Sequence, residues 1–288
     1  MYNYHKILFD YSEFLKDTDI KKIEIIDNDV IMTSRQHDIK ISCMKGDVRI
    51  APIETLTSDY YERNDTQMLY NLLKNNSTMF DVGANIGWFS IGIAKNKKNV
   101  KIFSFEPIPK VFENLKINIK LNKTSNIKIF NFGFYNEKKD LTFYYYPAAS
   151  GYSSNTAFPG KKGFQKIKCK LIKFDDFVHK NQISKIDLIK CDVEGAELFV
   201  YEGALNSIRR FKPIVLSEIS RINQKKFSYH PNQIIHFFEE LGYMCFVANK
   251  KGLRKIRQIT EKTQETNVFF LHPKKHSSLI SKYSSKKN

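Results

Sequence analysis

From Met79 onward, short apolar runs alternate with stripes of helical spacing. Met79-Phe80-Asp81-Val82 reads as a strand, Gly83 to Gly87 as a turn and Trp88 to Ala94 as a helix. Val100 to Glu106 is a second strand, and Val111 to Leu121 a second helix with Val111, Leu115 and Ile119 on one stripe. Ile127 to Phe134 reads as a third strand. Leu141 to Tyr146 is extended, and within Phe164 to Phe174 the residues Ile167, Cys169 and Leu171 alternate with Lys168 and Lys170. Ile186 to Asp192 is a strand, Ala196 to Leu205 a helix, and Pro213 to Ile219 the near-continuous apolar run of a strand buried on both faces. Asn232 to Leu241 predicts a helix stopped by Gly242, and Met244 to Ala248 and Val268 to Leu271 close the sheet. Such alternation of strand and helix is the signature of a mostly parallel α/β sheet.

The flanks read differently. Residues 1–61 form an extension in which Lys22-Ile23-Glu24-Ile25 and Asp38-Ile39-Lys40-Ile41 alternate like small hairpins, with Asn28-Asp29 suited to a turn, so a cap of hairpins is expected there. The α/β domain covers 62–271, entered through a helix in Asp65 to Leu73. Residues 272–288 are Lys- and Ser-rich and read as a frayed basic tail. Residues 147–160, small and polar with aromatics at intervals, suit a mobile lid in which Tyr152, Ser153 and Ser154 could hydrogen-bond a substrate.

Composition narrows the class. Of 288 residues, 42% are hydrophobic and 27% charged, an ordinary globular balance. No apolar run approaches the roughly 18 residues of a membrane span, which excludes an integral membrane protein, and no Sec signal is visible at Met1 to Lys6. The four cysteines, Cys43, Cys169, Cys191 and Cys245, are scattered singly, which reads as reduced thiols of a cytoplasmic protein rather than zinc ligands or disulfides. Net charge is +17, but 39 of the basic residues are Lys and only 8 are Arg. Nucleic-acid grooves favour the bidentate Arg, so this excess disfavours nucleic acid and leaves open a peripheral contact with anionic surfaces.

Three motifs stand at strand ends. Asp81-Val82-Gly83-Ala84-Asn85-Ile86-Gly87 follows a strand and opens a helix, where glycines let the backbone turn sharply and approach a ligand. The dinucleotide pattern G-x-G-x-x-G is not met, because Asn85 stands in place of its second glycine. Asp81 would repel a pyrophosphate but suits a cationic amino-acid moiety, which points from NAD towards S-adenosylmethionine (SAM). Glu106, followed by Pro107, ends the next strand and can accept two hydrogen bonds from a ribose diol. Lys190-Cys191-Asp192-Val193-Glu194-Gly195-Ala196-Glu197 stands at a third strand end. Its period of two puts Lys190 and Asp192 on one face and Cys191 on the other. Asp192 is the first choice for taking a proton from a reacting hydroxyl, with Lys190 tuning it; His179 and His230 are unplaced alternatives. Glu194 and Glu197 read as solvated acids or helix-start acids. Asp192 and Glu218 could hold a divalent cation, but two carboxylates do not make a metal site, so none is expected.

DVGANIG, FEPIP, LIKFDDF and IDLIKCDVEGAE, in that order over roughly residues 62–219, resemble the FkbM family of SAM-dependent methyltransferases. The resemblance implies a Rossmann-like class I methyltransferase fold, a seven-stranded sheet with an antiparallel last strand, and O-methylation, often of sugar hydroxyls in surface polysaccharide or glycan biosynthesis. Carried over, Asp81, Gly83, Ala84, Asn85 and Gly87 would cradle the methionine part of SAM, Glu106 with Pro107 the ribose, and Asp192 would meet acceptor or cofactor. The expected partners are SAM and a hydroxyl-bearing carbohydrate acceptor. Two other readings stay open: an RNA methyltransferase, and a non-catalytic binding module on the same fold.

Overall fold

A computed structural model describes residues 2–56, 63–157, 160 and 162–284. The expected boundary at 61/62, residues 158 and 159 of the expected lid, and tail residues 285–288 lie outside the described residues. The extension opens with a helix the sequence reading did not expect, α1 (Tyr2–Phe14), followed by strands β1 (Ile20–Ile26), β2 (Asp29–Ser34) and β3 (Lys40–Cys43) in one antiparallel sheet. The β1–β2 reversal falls at Asp27-Asn28, where Asp27 takes a positive φ of 52°. Two helices, α2 (Ala51–Glu54) and α3 (Arg63–Leu72), lead into the main domain.

The domain then runs β4 (Thr78–Val82), α4 (Trp88–Asn96), β5 (Lys101–Phe105), α5 (Pro109–Asn122), β6 (Ile127–Phe130), β7 (Gly133–Tyr135), β8 (Lys139–Tyr145) and β9 (Gln165–Lys173). After these come α6 (Phe174–Lys180), β10 (Leu188–Cys191), α7 (Glu197–Gly203), α8 (Leu205–Phe211), β11 (Ile214–Glu218), α9 (Arg221–Lys225), α10 (Asn232–Glu240), β12 (Met244–Asn249), β13 (Gly252–Ile256), β14 (Asn267–Leu271) and α11 (Pro273–Tyr283).

The main sheet has eight strands in the order β13-β12-β14-β11-β10-β4-β5-β6. Strands β11, β10, β4, β5 and β6 are parallel, and β14 is antiparallel to both of its neighbours. This is the Rossmann-like methyltransferase architecture with one strand more than expected. The addition is β13, which hairpins onto β12 at the sheet edge, where Gly-Leu-Arg-Lys-Ile carries too little apolar alternation to be read as a strand. The expected single strand 127–134 is two strands. β6 stays in the main sheet, while β7 crosses into a smaller sheet, β7-β9-β8.

Each face of the main sheet meets its own helices. Phe80, Phe105, Phe134, Phe174, Phe177 and Cys191 share one buried cluster, and Met79, Ile102, Leu188, Leu216 and Trp88 share the other. Cys191 thus points away from the Lys190 face, as the period of two requires. The tail also differs from expectation. Residues 273–283 are helical, with the His272 ring accepting from Lys274 N–H and His276 buried, because α11 packs on β13 and β14. No described helix is long and apolar enough to cross a membrane.

The extension is fastened by side chains posing as a strand. Asn114, Asn118 and Asn122 recur every four residues on α5, so they stack on one face of the helix. Asn122 Oδ1 accepts from Lys40 N–H (2.9 Å), Asn118 Oδ1 accepts from Ser42 N–H (2.9 Å), and Asn114 Nδ2 donates to Ser42 O (3.1 Å). The free edge of β3 is thereby satisfied without a fourth strand. Asn118 also donates to Ile86 O (2.9 Å), tying this seam to the glycine turn.

Candidate active site

Four strand ends define one wall. In sheet order, Glu218 ends β11, Asp192 follows β10, Gly83 follows β4 and Glu106 follows β5. With strands spaced by ~4.8 Å, Glu218 and Glu106 are three gaps, about 14 Å, apart along the C-terminal edge where open α/β sheets bind ligands.

Register explains the buried charges behind this edge. Lys190 stands opposite Asp81 in the parallel β10–β4 pair, and Asp81 stands opposite Ser104 of β5. Lys190 Nζ lies 3.1 Å from Asp192 Oδ2 and 4.0 Å from Asp81 Oδ1, over the Phe89 ring. Ser90 Oγ donates to Asp81 Oδ2 at 2.5 Å and lies 2.7 Å from Ser104 Oγ. Burial pushes the Asp81 carboxyl up from its ordinary pKa, and the Lys190 ammonium opposes that shift. Asp81 is thus 1% exposed and lies behind the cavity wall, while Lys190 and Asp192 line the cavity itself.

The turn after β4 is shaped by protein contacts. Gly83 has φ +77°, and a Cβ there would come within 1.8 Å of Asp192 O, so this glycine lets the β10 loop close against the turn. Gly87, at φ +90°, backs onto Leu115 and is absent from the lining. Asn85 takes φ 48°, a conformation Asn tolerates better than most residues. Its backbone N–H donates to Glu106 Oε2 (3.0 Å), and Ile108 N–H donates to Glu106 Oε1 (2.9 Å). Each carboxylate oxygen keeps a further lone pair for a ligand hydroxyl. Burial lifts Glu106 to about 7 despite these two donors.

Of the two readings open for these acids, the helix-start one holds for Glu197, which opens α7, while Glu194 is partly buried and lines the cavity. Glu197 is fully buried. One of its oxygens reaches back to Val193 N–H (3.0 Å) and Gly195 N–H (3.1 Å), and the other accepts from Gln224 Nε2 (2.9 Å). It shapes the loop that presents Asp192, as a back-reaching acid does at a helix start. Burial and the negative Asp192 and Glu197 push Glu194 far up, and Asn223 Nδ2 donates to it at 2.8 Å. Ligand atoms of Asp192, Glu194 and Glu218 all lie within 4.8 Å of one another, a spacing that could hold a cation. Lys226 lies nearby, and burial pulls its ammonium below the ordinary lysine range while the charges of Glu194 and Glu218 oppose that shift.

The opposite wall comes from the extension and the 147–157 segment. Arg49, Ile50, Ala51 and Glu54 line the cavity, as do Ser150, Gly151, Tyr152, Ser153 and Asn155. The described part of the expected lid is pinned. Val48 N–H donates to Ala148 O (3.1 Å), Ser150 N–H to the Asp47 carboxylate (3.2 Å), and Tyr144 pairs with Ser154. Ser154 is buried rather than facing the cavity, and its hydroxyl lies 3.3 Å from Glu194 O.

The cavity is about 530 Å³ and open to solvent on one side, within the range of small-molecule and cofactor sites. Gly83, Ala84, Asn85, Glu106, Pro107, Lys190 and Asp192 line it; His179 and His230 do not. SAM fits these residues. Glu106 offers acceptors beside apolar Ile108, Val111, Phe134 and Leu171, and the Asn85 Oδ1, buried and without a hydrogen-bond partner, awaits a donor. The sequence reading missed Arg49, Glu54 and Trp88, and only the four-residue spacing of the α5 asparagines hinted that the extension docks here.

Comparison with known proteins places the chain in a family. The family model described as Methyltransferase FkbM domain matches residues 81–245. The methyltransferase sdnD of Sordaria araneosa is 29% identical over 175 residues, 50% of this chain and 67% of its own. The hexuronic acid methyltransferase AglP of Haloferax volcanii is 26% identical over 164 residues, 57% of this chain and 65% of its own. The crystal structure of a methyltransferase FkbM from Methylobacillus flagellatus superposes with a TM-score of 0.47 at 18% identity, covering 72% of this chain and 48% of that one. This chain therefore spans less than two thirds of the archaeal relative and about half of the crystallised one.

Proposed function

This chain belongs to the FkbM methyltransferase family and uses SAM as its methyl donor, and from that premise we propose that it methylates a hydroxyl oxygen of a sugar in glycan or surface-polysaccharide biosynthesis. The observation that carries the reading is Asp192, a cavity-lining carboxylate anchored through one oxygen to the buried Lys190. The hexuronic acid methyltransferase among its relatives supports a sugar acceptor.

When bound, SAM supplies a methyl group on a positively charged sulfur, which an acceptor oxygen displaces in line. In this reading Glu106 receives the ribose hydroxyls, with Pro107 and Ile108 beside the nucleoside. Gly83, Ala84 and Asn85 offer backbone to the methionine portion. Asp81 and Gly87 work from behind, the first by neutralising Lys190 and the second by seating the turn on α5. Asp192 accepts the hydroxyl proton as the new O–C bond forms, and Lys190 holds that carboxylate in place. The extension and the 147–157 segment shield the reacting atoms from water, which keeps the acceptor aligned. A reducing, cytoplasmic setting is part of the proposal, supported by four free cysteines, three of them buried.

The test is incubation of the protein with SAM and a panel of nucleotide sugars and oligosaccharides, read by mass spectrometry for a gain of one methylene. S-adenosylhomocysteine binding is measured alongside by calorimetry. Methylation of a sugar that disappears in Asp192→Asn supports the reading. Cofactor binding with methylation confined to RNA overturns it.

A further inference from the structure

Arg49 is the more exposed of the two cations among the described residues that line the cavity. Among the described lining residues the acids are Glu54, Glu106, Asp192, Glu194 and Glu218, and the cations are Arg49 and Lys190. Lys190 is held between Asp81 and Asp192 with its side chain 7% exposed. Arg49 is different, because its side chain is 46% exposed.

Arg49 is also held in place. Its backbone N–H donates to Asp47 Oδ1 (3.0 Å), and the same carboxylate takes Ser150 N–H, so residues 47–49 and the Ser150 turn move as one piece. Gly151 passes so close that a Cβ would lie 2.9 Å from Arg49 O. The guanidinium rests over the Tyr152 ring at 5.0 Å, and one end, Nη1, meets Glu54 Oε1 at 2.9 Å. A guanidinium has five N–H donors, so a single contact leaves most of the planar fork open to a second acceptor. A second feature points the same way. Ser150 is 5% exposed, lines the cavity, and its Oγ has no hydrogen-bond partner.

We propose that Arg49, with Ser150 and the Tyr152 ring, forms a carboxylate subsite that selects an acidic sugar as the methyl acceptor. This rests on the sugar methyltransferase reading and narrows its substrate. A planar carboxylate matches the guanidinium fork. A phosphate dianion would double the charge brought up to Glu54 and Asp47, which favours the monoanion. Arg49 would take the carboxylate, and Asp192, which lines the same cavity, would meet a ring hydroxyl of the same sugar. The selecting residue lies in the extension, outside the family-matched residues 81–245.

The test uses protein saturated with S-adenosylhomocysteine and three probes: methyl β-glucuronide, methyl β-glucoside and glucose 6-phosphate, titrated into wild type, Arg49→Gln and Arg49→Lys. The expected result is at least about 10-fold tighter binding of the glucuronide than of the other two in wild type, following the strength of a paired guanidinium–carboxylate contact. Arg49→Gln abolishes that ratio and Arg49→Lys restores part of it, while S-adenosylhomocysteine affinity stays unchanged in both. Equal binding of glucuronide and glucoside, a preference for the phosphate, a ratio that survives in Arg49→Gln, or no binding of any probe overturns the subsite. Failure of S-adenosylhomocysteine to bind at all is a separate outcome and removes the methyltransferase reading itself.

Discussion

The two walls of the cavity are built on different principles. On the sheet-edge wall, positions follow from strand register. Lys190 lies opposite Asp81 because β10 pairs with β4, and the ion pair, Ser90 and Ser104 are sealed in the same row. On the other wall, Arg49 and Tyr152 are brought together by hydrogen bonds to the Asp47 carboxylate, by an asparagine seam and by a single cation–π contact. Backbone register is hard to alter without unfolding the sheet, whereas side-chain ties can be exchanged one at a time. Under the proposed reading, register fixes the donor side and exchangeable side-chain ties fix the acceptor side.

The strongest way to break the comparison is at Asp192. Asp192→Asn keeps the side-chain shape and a contact to Lys190, so S-adenosylhomocysteine titration should be unchanged, while turnover falls by about 10²–10⁴-fold, the range of general-base loss. An unchanged turnover would show that the sheet-edge wall does not supply the base. Next, Lys190→Met leaves Asp81 buried beside no cation. We expect it to cost about 3–5 kcal/mol in chemical denaturation, the usual cost of breaking a buried pair from one side.

The matching change at the other wall is gentler. Asn122→Ala removes the bond from Lys40 N–H and the return bond from Asn122 Nδ2 to Lys40 O (2.6 Å). A loss of about 1–2 kcal/mol is expected. Limited proteolysis should then cut the extension sooner, and acceptor KM should rise with S-adenosylhomocysteine affinity intact. Equal losses of donor and acceptor binding would erase the distinction between the walls.

The smallest effect is a pH dependence of stability that reaches both walls, since burial raises Glu54 as well as the sheet-edge acids. Burial raises Glu106 to about 7 and Glu197 to about 6 in the folded protein. The native state therefore holds protons that the unfolded chain has already released. Stability is fully present below the ordinary glutamate range and is lost as pH rises through these raised values. The thermal midpoint of the ligand-free protein should fall as pH goes from about 5 to about 8. A fall no steeper in wild type than in Glu106→Gln would mean that Glu106 is not buried as described.

Much of the donor wall was legible beforehand. Period-two strands, a glycine turn and acids at strand ends are local patterns, and the hydrophobic effect forces such strands into the interior of a sheet. Asp81 shows the limit. Its type and strand-end position were readable, but whether it faced the ligand or a lysine depended on which strand became its neighbour. Glu197 shows it too: a helix-start acid was readable there, but not that it folds back onto its own loop and is fully buried.

The sequence by itself determined the class of fold, the strand ends that carry the site, the opposite facing of Cys191 and Lys190, and the family. Only the tertiary structure decided that β13 and α11 are ordered parts of the domain, that the stretch 127–134 is shared between two sheets, and that the extension reaches the cavity through Arg49. Periodicity is written residue by residue along the chain. Contacts such as Asn122 with Lys40, separated by 82 positions, exist only after the sheet and its helices have packed.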